Sequence, residues 1–186
     1  MRVEKLWQTY AIDIAYRHFP LHPDTPEEGL TLQQLFAGRD IDISASQTRL
    51  ANLMADEGLP YGKRTMTYNS RLAQELATWA VTQSGGERIH NSLFQAYFVN
   101  NVNLARRENL RAIAQQIALP VDEAAHVLED RSFSHAVESD WRRSRKLGIT
   151  GVPTFVIGNQ GLVGAQPRTQ LEAIIVSAGA ERRGTD

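Results

Sequence analysis

The hydrophobic pattern changes period twice along the chain, and these two changes limit the folds that it can adopt. Ala11–Phe19 alternates apolar and polar residues, as a strand does. Across residues 29–147, apolar residues recur at the three- and four-residue spacing of helices. The strand pattern returns at Thr154–Ile157 and Leu162–Val163. The sequence therefore predicts an α/β protein in which an all-helical insertion interrupts a sheet layer.

Glycine, proline and asparagine residues mark the predicted ends of these elements. Helices are predicted at Met1–Tyr10, Leu30–Phe36, Ser44–Glu57, Ser70–Gln83, Glu87–Val102, Arg107–Ala118, Val121–Glu129 and Ser132–Leu147. Asn69 is the predicted N-cap of the fourth of these helices. Gly158–Gly161 is predicted to be a four-residue turn between the two late strands, and a last helix begins near Pro167. Ala180–Asp186 is expected to fray.

Size and charge exclude several classes of protein. The 186 residues, 42% of them hydrophobic, suffice for one domain or for one domain with an insertion. Twenty basic and twenty-one acidic residues give a net charge of −1, which does not favour nucleic acid or an anionic membrane surface as a partner. No apolar run approaches the ~18–20 residues of a membrane span. We therefore expect neither nucleic acid nor a membrane as a partner, and a cytoplasmic protein.

The residues that carry most enzyme chemistry are missing or badly spaced. The chain has no cysteine, so it cannot form a disulfide, a thiolate nucleophile or a Cys-ligated zinc site. Its five histidines lie at no spacing typical of metal ligands, and no Gly-x-Ser-x-Gly element is present. The sequence accordingly predicts no catalytic residue, no metal site and no cofactor.

Five sequence blocks, in order, resemble one known family. Gly148–Ile157 and the following Val163–Pro167 resemble the second half of DsbA-like thioredoxin-fold proteins. Within that family the chain resembles the branch of polyketide-pathway dithiol-disulfide isomerases, which are relatives of 2-hydroxychromene-2-carboxylate isomerase. The other three blocks are Phe19–Pro23 continuing to Gly29, Asn69-Ser70 with Ala73, and Leu93–Phe98. The resemblance extends from about Tyr16 to Ile175.

The resemblance implies a thioredoxin-like fold with an all-helical insertion. Residues 1–28 and 148–186 would form an incomplete thioredoxin-like domain, and residues 29–147 the helical insertion domain. Family members open with a strand that ends in Cys-Pro-Trp-Cys at the head of the first helix. This chain shows no counterpart of that strand or of the redox motif, and Gln74 stands where the family often has histidine.

The same resemblance implies a substrate-binding loop at Gly151, Val152 and Pro153, with a cis peptide bond before the proline. In the family, the residue before this proline offers its backbone to an extended peptide or protein substrate, which is a form of strand addition. Asn69 is a further substrate-binding candidate.

Three functions remain open at this point. The chain is a truncated thiol-disulfide oxidoreductase or isomerase whose redox segment lies upstream, or a cysteine-free relative that binds peptides or partner proteins, or a glutathione-dependent isomerase-like protein. Whether it is an enzyme is therefore also open. In the family, the strand that this chain lacks lies between Ala11–Phe19 and Thr154–Ile157. We therefore expect a homodimer whose interface involves Ala11–Phe19 or the Met1–Tyr10 helix.

Overall fold

The computed structural model describes residues 2–184, so Met1, which opens the first predicted helix, lies outside the described residues. The helices are α1 (Arg2–Thr9), α2 (Leu32–Leu35), α3 (Ile43–Asp56), α4 (Arg71–Ala80), α5 (Ile89–Phe94), α6 (Arg107–Gln116), α7 (Val121–Asp130), α8 (Ser134–Lys146) and α9 (Arg168–Ser177). The strands are β1 (Leu30–Thr31), β2 (Met66–Thr67), β3 (Thr154–Ile157) and β4 (Gln160–Val163). The chain forms two compact units, one containing residues 1–21 and 140–186 and the other residues 22–139.

The predicted helices of the insertion are confirmed, most of them within a few residues at each end. The predicted helix over Glu87–Val102 is divided into a 3₁₀ turn, α5 and a π-helical turn at Gln95–Val99. Asn69 caps α4 through its side chain, because its Oδ1 accepts a hydrogen bond of 2.9 Å from the backbone N–H of Arg71. Ser70 occupies the N-cap position itself and makes no side-chain capping bond.

A small antiparallel sheet in the unit of residues 22–139 was not predicted. Leu30 pairs with Thr67, and Thr31 pairs with Met66. Each strand is two residues long, which is too short for an alternating pattern to appear in the sequence. Thr31 also caps α2, since its hydroxyl accepts from Gln34 N–H while the Gln34 side chain accepts from Thr31 N–H. The insertion is thus helix-rich, with one short sheet at the start of α2.

The core of residues 22–139 lies among α4, α5, α6 and α7. Its fully buried side chains include Leu76, Ile89, Leu110 and Leu128. These apolar residues recur at helical spacing, so each helix turns one apolar stripe toward the others.

A buried ion cluster crosses this unit. The carboxylate of Glu75 is fully buried and accepts from Arg131 at 2.6 and 2.7 Å and from Arg71 Nε at 3.1 Å. Arg71 also donates to Glu138. The hydrogen bonds to Glu75 raise the pKa of Arg131 above its ordinary value. Glu75 thereby ties α4 to the C-terminal end of α7.

The unit of residues 1–21 and 140–186 is built from α1, α9 and the β3–β4 hairpin. Its core contains Leu6 and Tyr10 together with three apolar residues of α9, Leu171, Ile174 and Ile175. Phe155, Ile157 and Leu162 of the hairpin pack against this cluster. The hydroxyl of Tyr10 donates to the Glu172 carboxylate at 2.6 Å, which fixes α1 on α9.

The prediction of a strand at Ala11–Phe19 is wrong. The segment forms no strand, and within residues 2–184 the ladder contact beside it is an isolated antiparallel bridge between Tyr10 and Arg182. Ala11 N–H donates to Glu181 O at 2.8 Å, while His18 N–H donates to the Asp140 carboxylate at 3.1 Å. A strand needs a neighbouring backbone as well as alternating side chains, and in the described residues that neighbour extends over only a few positions.

The expected fraying of Ala180–Asp186 is wrong for its first four residues. Ala180 packs against the apolar cluster, and Arg183 N–H donates to Thr9 O at 2.9 Å. The guanidinium of Arg183 donates to Trp7 O at 2.9 Å and lies 5.4 Å from the centre of the Trp7 ring. Backbone pairing with the end of α1 holds this segment in place; Thr185 and Asp186 lie outside the described residues.

Candidate functional site

The predicted binding loop, Gly151–Pro153, leads directly into β3. Its Val152–Pro153 peptide bond is cis. The Thr154 hydroxyl donates to Gly151 O at 2.7 Å, and Gly164 N–H donates to Pro153 O at 2.8 Å. These two bonds anchor the residues on either side of Val152. The N–H and C=O of Val152 make no hydrogen bond to another described residue, and its side chain is 50% exposed.

The register of the hairpin fixes which backbone groups of β3 face away from β4. Ile157 pairs with Gln160 and Phe155 with Leu162, and the bond from Gly164 to Pro153 continues this series of hydrogen-bonded pairs. The intervening residues, Thr154 and Val156, are non-hydrogen-bonded positions whose N–H and C=O point away from β4. In the described sheet β3 has β4 as its single neighbour. The outer edge of β3 therefore presents Val152, Thr154 and Val156 to an incoming strand.

One face of the hairpin is apolar and exposed beside this edge. The pleat directs Phe155, Ile157 and Leu162 toward the core and Thr154, Val156 and Val163 to the opposite face. Val156 is 43% exposed and Val163 63% exposed. A polypeptide that added to the edge would find backbone donors and acceptors together with an apolar surface for its side chains.

The turn of the β3–β4 hairpin is shorter than predicted, so the residues of the two strands pair differently from the prediction. The turn contains two residues, Gly158 and Asn159, instead of the predicted four, because Ile157 pairs with Gln160. Gly158 has a φ of 60°, a value that glycine adopts at little cost. A four-residue turn would pair Ile157 with Leu162, a shift of two residues that changes the cross-strand partners of β3 but keeps each side chain on the same face. The sequence analysis missed the shorter turn, although a Gly-Asn turn is itself a signal for a two-residue hairpin. It missed Thr154 and Val156 because their outward backbone groups follow from their non-hydrogen-bonded pairing with β4.

Asn69, the other predicted site residue, lies in the unit of residues 22–139. Its Nδ2 donates to Pro23 O at 2.9 Å and to Thr25 O at 2.8 Å, while its Oδ1 accepts from Arg71. The amide thus fastens the segment before β1 to the start of α4. Its predicted part in substrate binding stays a prediction.

The described residues offer neither a metal centre nor a membrane span. Across residues 2–184, no group of three His, Asp or Glu side chains has the arrangement to hold a metal ion. The longest helix in this part of the chain, α3, has 14 residues, and no described helix is long and apolar enough to cross a bilayer. The exposed loop and the outer edge of β3 can bind another polypeptide through main-chain hydrogen bonds.

Several solved structures share the fold of this chain. A probable DsbA oxidoreductase from Streptomyces coelicolor superimposes with a TM-score of 0.86 at 25% identity, over 95% of this chain and 81% of its own. The 2-hydroxychromene-2-carboxylate isomerase structure gives a TM-score of 0.72 at 18% identity, over 96% of this chain and 85% of its own. The cytosolic disulfide reductase DsbM from Pseudomonas aeruginosa with glutathione gives 0.55 at 21% identity, over 80% and 81%.

The sequence itself matches one family model. No curated protein sequence matches the chain significantly. The model described as DSBA-like thioredoxin domain matches residues 1–176, which is most of the chain. The predicted thioredoxin-like fold with a helical insertion is thereby confirmed. The chain belongs to the family of DSBA-like thioredoxin domains, the DsbA-like oxidoreductases and isomerases, and it contains no cysteine.

Proposed function

We propose that this chain binds an extended polypeptide by strand addition at the outer edge of β3, as the substrate-binding part of a DsbA-like oxidoreductase or isomerase. The observation that carries the proposal is the row of outward backbone groups at Val152, Thr154 and Val156. An added strand would exchange main-chain hydrogen bonds with these three residues. Main-chain hydrogen bonds do not depend on the side chains of the ligand, so the site would accept segments of many sequences.

The exposed apolar face supports the same ligand. Val152 and Val156 are each more than two-fifths exposed beside the free edge. Alternate side chains of an added strand would lie over these valines, and burial of an apolar group contributes about 25 cal/mol per Å². The ligand class that fits is an unfolded or extended protein segment with apolar residues at alternate positions.

The open functional alternatives share this binding step. An oxidoreductase whose redox segment is encoded upstream and a cysteine-free binding protein would both hold a substrate at Val152. The genomic sequence immediately before the codon for Met1 separates them. An in-frame Cys-x-x-Cys there supports the oxidoreductase, and a stop codon supports the binding protein.

The chain as given is expected to show no thiol-disulfide exchange. Exchange proceeds through a thiolate that forms a mixed disulfide, and this chain has no sulfhydryl group. In an insulin-reduction assay with dithiothreitol, the rate with the purified chain should equal the rate of the buffer control. Turnover above that control, from protein whose mass is that of this sequence, would contradict the expectation.

A pair of proline variants tests the binding site. Val156→Pro removes an outward N–H of β3, while Val163→Pro removes an outward N–H of β4, so neither change breaks a bond between the two strands. The probe is fluorescein-labelled, S-carboxymethylated insulin B chain, an unfolded polypeptide without a reactive thiol. We expect Val156→Pro to weaken binding about tenfold or more, in fluorescence anisotropy, while Val163→Pro stays within about twofold of the parent chain.

Equal weakening by the two variants, or no binding of the probe to the parent chain, would refute strand addition at β3. Glutathione is a second candidate ligand, since DsbM with glutathione shares the fold. Glutathione is itself an extended tripeptide. If it displaces the insulin chain at millimolar concentration and loses affinity in Val156→Pro, the edge binds small thiol peptides as well as proteins.

The proposal also includes a homodimer of this chain. The segment after α1 exposes Ile14 and Tyr16, and α1 exposes Trp7 to 49%. Burial of these side chains against a second copy would remove apolar surface from water, and closed dimers are the commonest oligomers. We expect light scattering to give twice the 20.8 kDa chain mass at micromolar concentration. A monomer at every concentration tried would exclude a homodimer through Ala11–Phe19 or α1.

The division of the chain and its location complete the proposal. Residues 1–28 and 148–186 would serve as the thioredoxin-like, substrate-binding part, and residues 29–147 as the helical insertion. A cytoplasmic location is supported by the likeness to a cytosolic disulfide reductase.

A further inference from the structure

A cavity that shares no residue with the β3 edge lies within the unit of residues 22–139. It has a volume of about 590 Å³ and lies between α3 and the segment that precedes β2. Its walls include Leu32, Ile43, Gln47, Tyr61, Lys63 and Arg64. Pockets of this size with apolar walls and a few polar groups are typical of small-molecule sites.

The inner face of α3 is poorly covered. None of its 14 residues is fully buried, although Ile43, Gln47 and Ala51 line the cavity. A helix of this length normally buries an apolar stripe against its neighbours. The cavity occupies part of the space that such packing would fill, so a bound molecule would complete the contact between α3 and the rest of the unit.

The charged residues that line the cavity are all positive. Among the described residues that line it, Lys63 and Arg64 are cations, and none is a carboxylate. Arg64 forms no ion pair with a described residue; its guanidinium donates to Tyr97 Oη at 3.0 Å and lies 4.7 Å from the centre of that ring. The nearby His22 has its pKa lowered, first by burial and then by the charges of Arg39 and Arg64. The residues that line the cavity therefore include two cations and no carboxylate.

Two buried polar atoms on this wall lack partners. Nε of Arg64 is a donor and Oε1 of Gln47 an acceptor, and neither makes a hydrogen bond to a described residue. The other end of the Gln47 amide, Nε2, donates to Arg64 O, so the two side chains are linked. A buried polar group without a partner costs about 1–3 kcal/mol, and such groups are rare in folded proteins. The Nη2 group of Arg64 already donates to Tyr97 Oη and Met66 O, so a ligand with oxygen acceptors would add to these bonds.

We propose that this cavity binds a small organic carboxylate with an apolar body. The guanidinium of Arg64 matches a carboxylate group, since its N–H donors form a planar fork. Leu32, Ile43 and the ring of Tyr61 provide the apolar wall for the remainder of the molecule. The site consists of residues of the 22–139 unit and shares none with the peptide-binding edge.

Three probes of matched shape or charge test the ligand class. Phenylacetate carries a carboxylate and an apolar ring, phenylacetamide is its neutral counterpart, and inorganic phosphate is an anion without an apolar body. Binding is followed by amide hydrogen exchange of residues 43–56. We expect phenylacetate to slow exchange in α3 with saturation, and phenylacetamide to bind about tenfold more weakly or worse. Equal binding of phenylacetamide, or an equal effect of phosphate, would overturn the proposed class.

Two arginine variants test the position of the site. Arg64→Gln removes the cation on the cavity wall, while Arg49→Gln removes a cation of α3 that does not line this cavity. Arg64→Gln should weaken phenylacetate binding about tenfold or more, and Arg49→Gln should leave it within about twofold. If Arg64→Gln does not fold, Gln47→Glu places a carboxylate on the same wall and should weaken binding equally. Unchanged binding in the folded variant, or no binding of phenylacetate to the parent chain, would overturn the proposal.

Discussion

Replacement of Glu75 with glutamine is expected to lower the free energy of unfolding by about 3 kcal/mol. Glu75 is fully buried and receives hydrogen bonds from both Arg131 and Arg71. Glutamine keeps the shape of the side chain but removes the negative charge, and its NH₂ group would face arginine donors. The two guanidinium groups would then lie beside a neutral amide with one acceptor too few. For a chain of this size, the melting temperature should fall by about 6–12 °C.

Glu138→Gln is the matched control. Glu138 also pairs with Arg71, but its side chain is 39% exposed, so water replaces much of the lost interaction. The same chemical change there should cost about 1 kcal/mol or less. Thermal unfolding followed by circular dichroism measures both variants. Equal losses in the two, or a loss below about 1 kcal/mol for Glu75→Gln, would show that the ion cluster does not hold α4 to α7.

Gly86→Ala is expected to be still more damaging, with a loss above about 4 kcal/mol or failure to fold. A Cβ at this position would lie 1.6 Å from the carbonyl oxygen of Ala80 and 2.5 Å from its carbon. Both atoms belong to the backbone at the end of α4, so no side-chain rotation relieves the overlap. Gly86 is buried, and its N–H donates to Gln83 O at 3.0 Å, which holds the chain close to α4.

Gly58→Ala controls for the loss of a glycine as such. Gly58 has a φ of 67°, but a Cβ there would meet no atom within 4 Å. The free energy of unfolding of Gly58→Ala should fall only by the cost of a left-handed backbone conformation, about 1–2 kcal/mol. Urea unfolding of the two variants separates the contributions. A Gly86→Ala chain as stable as Gly58→Ala would mean that the chain after α4 does not approach Ala80 as closely as described.

The sequence predicted those elements whose side chains carry their own periodic signal. The stripes of α4, α6 and α7 recur at helical spacing, and their helices are confirmed close to the predicted bounds. Ala11–Phe19 failed because alternation describes side chains, whereas a strand also needs a backbone neighbour. The short strands β1 and β2 were invisible because two residues show no period.

The site was predictable in part for a similar reason. The loop at Gly151–Pro153 was predicted from the resemblance of Gly148–Ile157 to the DsbA-like family, since a proline before a strand is by itself a weak signal. The outward groups of Thr154 and Val156 depend on which residues of β3 exchange hydrogen bonds with β4, and the spacing of apolar residues does not specify this pairing. Glu75 gave no signal, because its partner Arg131, just after the end of α7, is 56 residues away in the chain. The local spacing of residues does not predict contacts between segments that are far apart in the sequence.

Amide hydrogen exchange along β3, resolved by nuclear magnetic resonance, tests the proposed strand addition most directly. The N–H groups of Phe155 and Ile157 face β4, whereas those of Val152, Thr154 and Val156 face outward. Saturation with the S-carboxymethylated insulin B chain should slow exchange about tenfold or more at the outward residues and leave Phe155 and Ile157 nearly unchanged. Exchange that stays fast at Thr154 and Val156 in the saturated complex would contradict binding at the β3 edge.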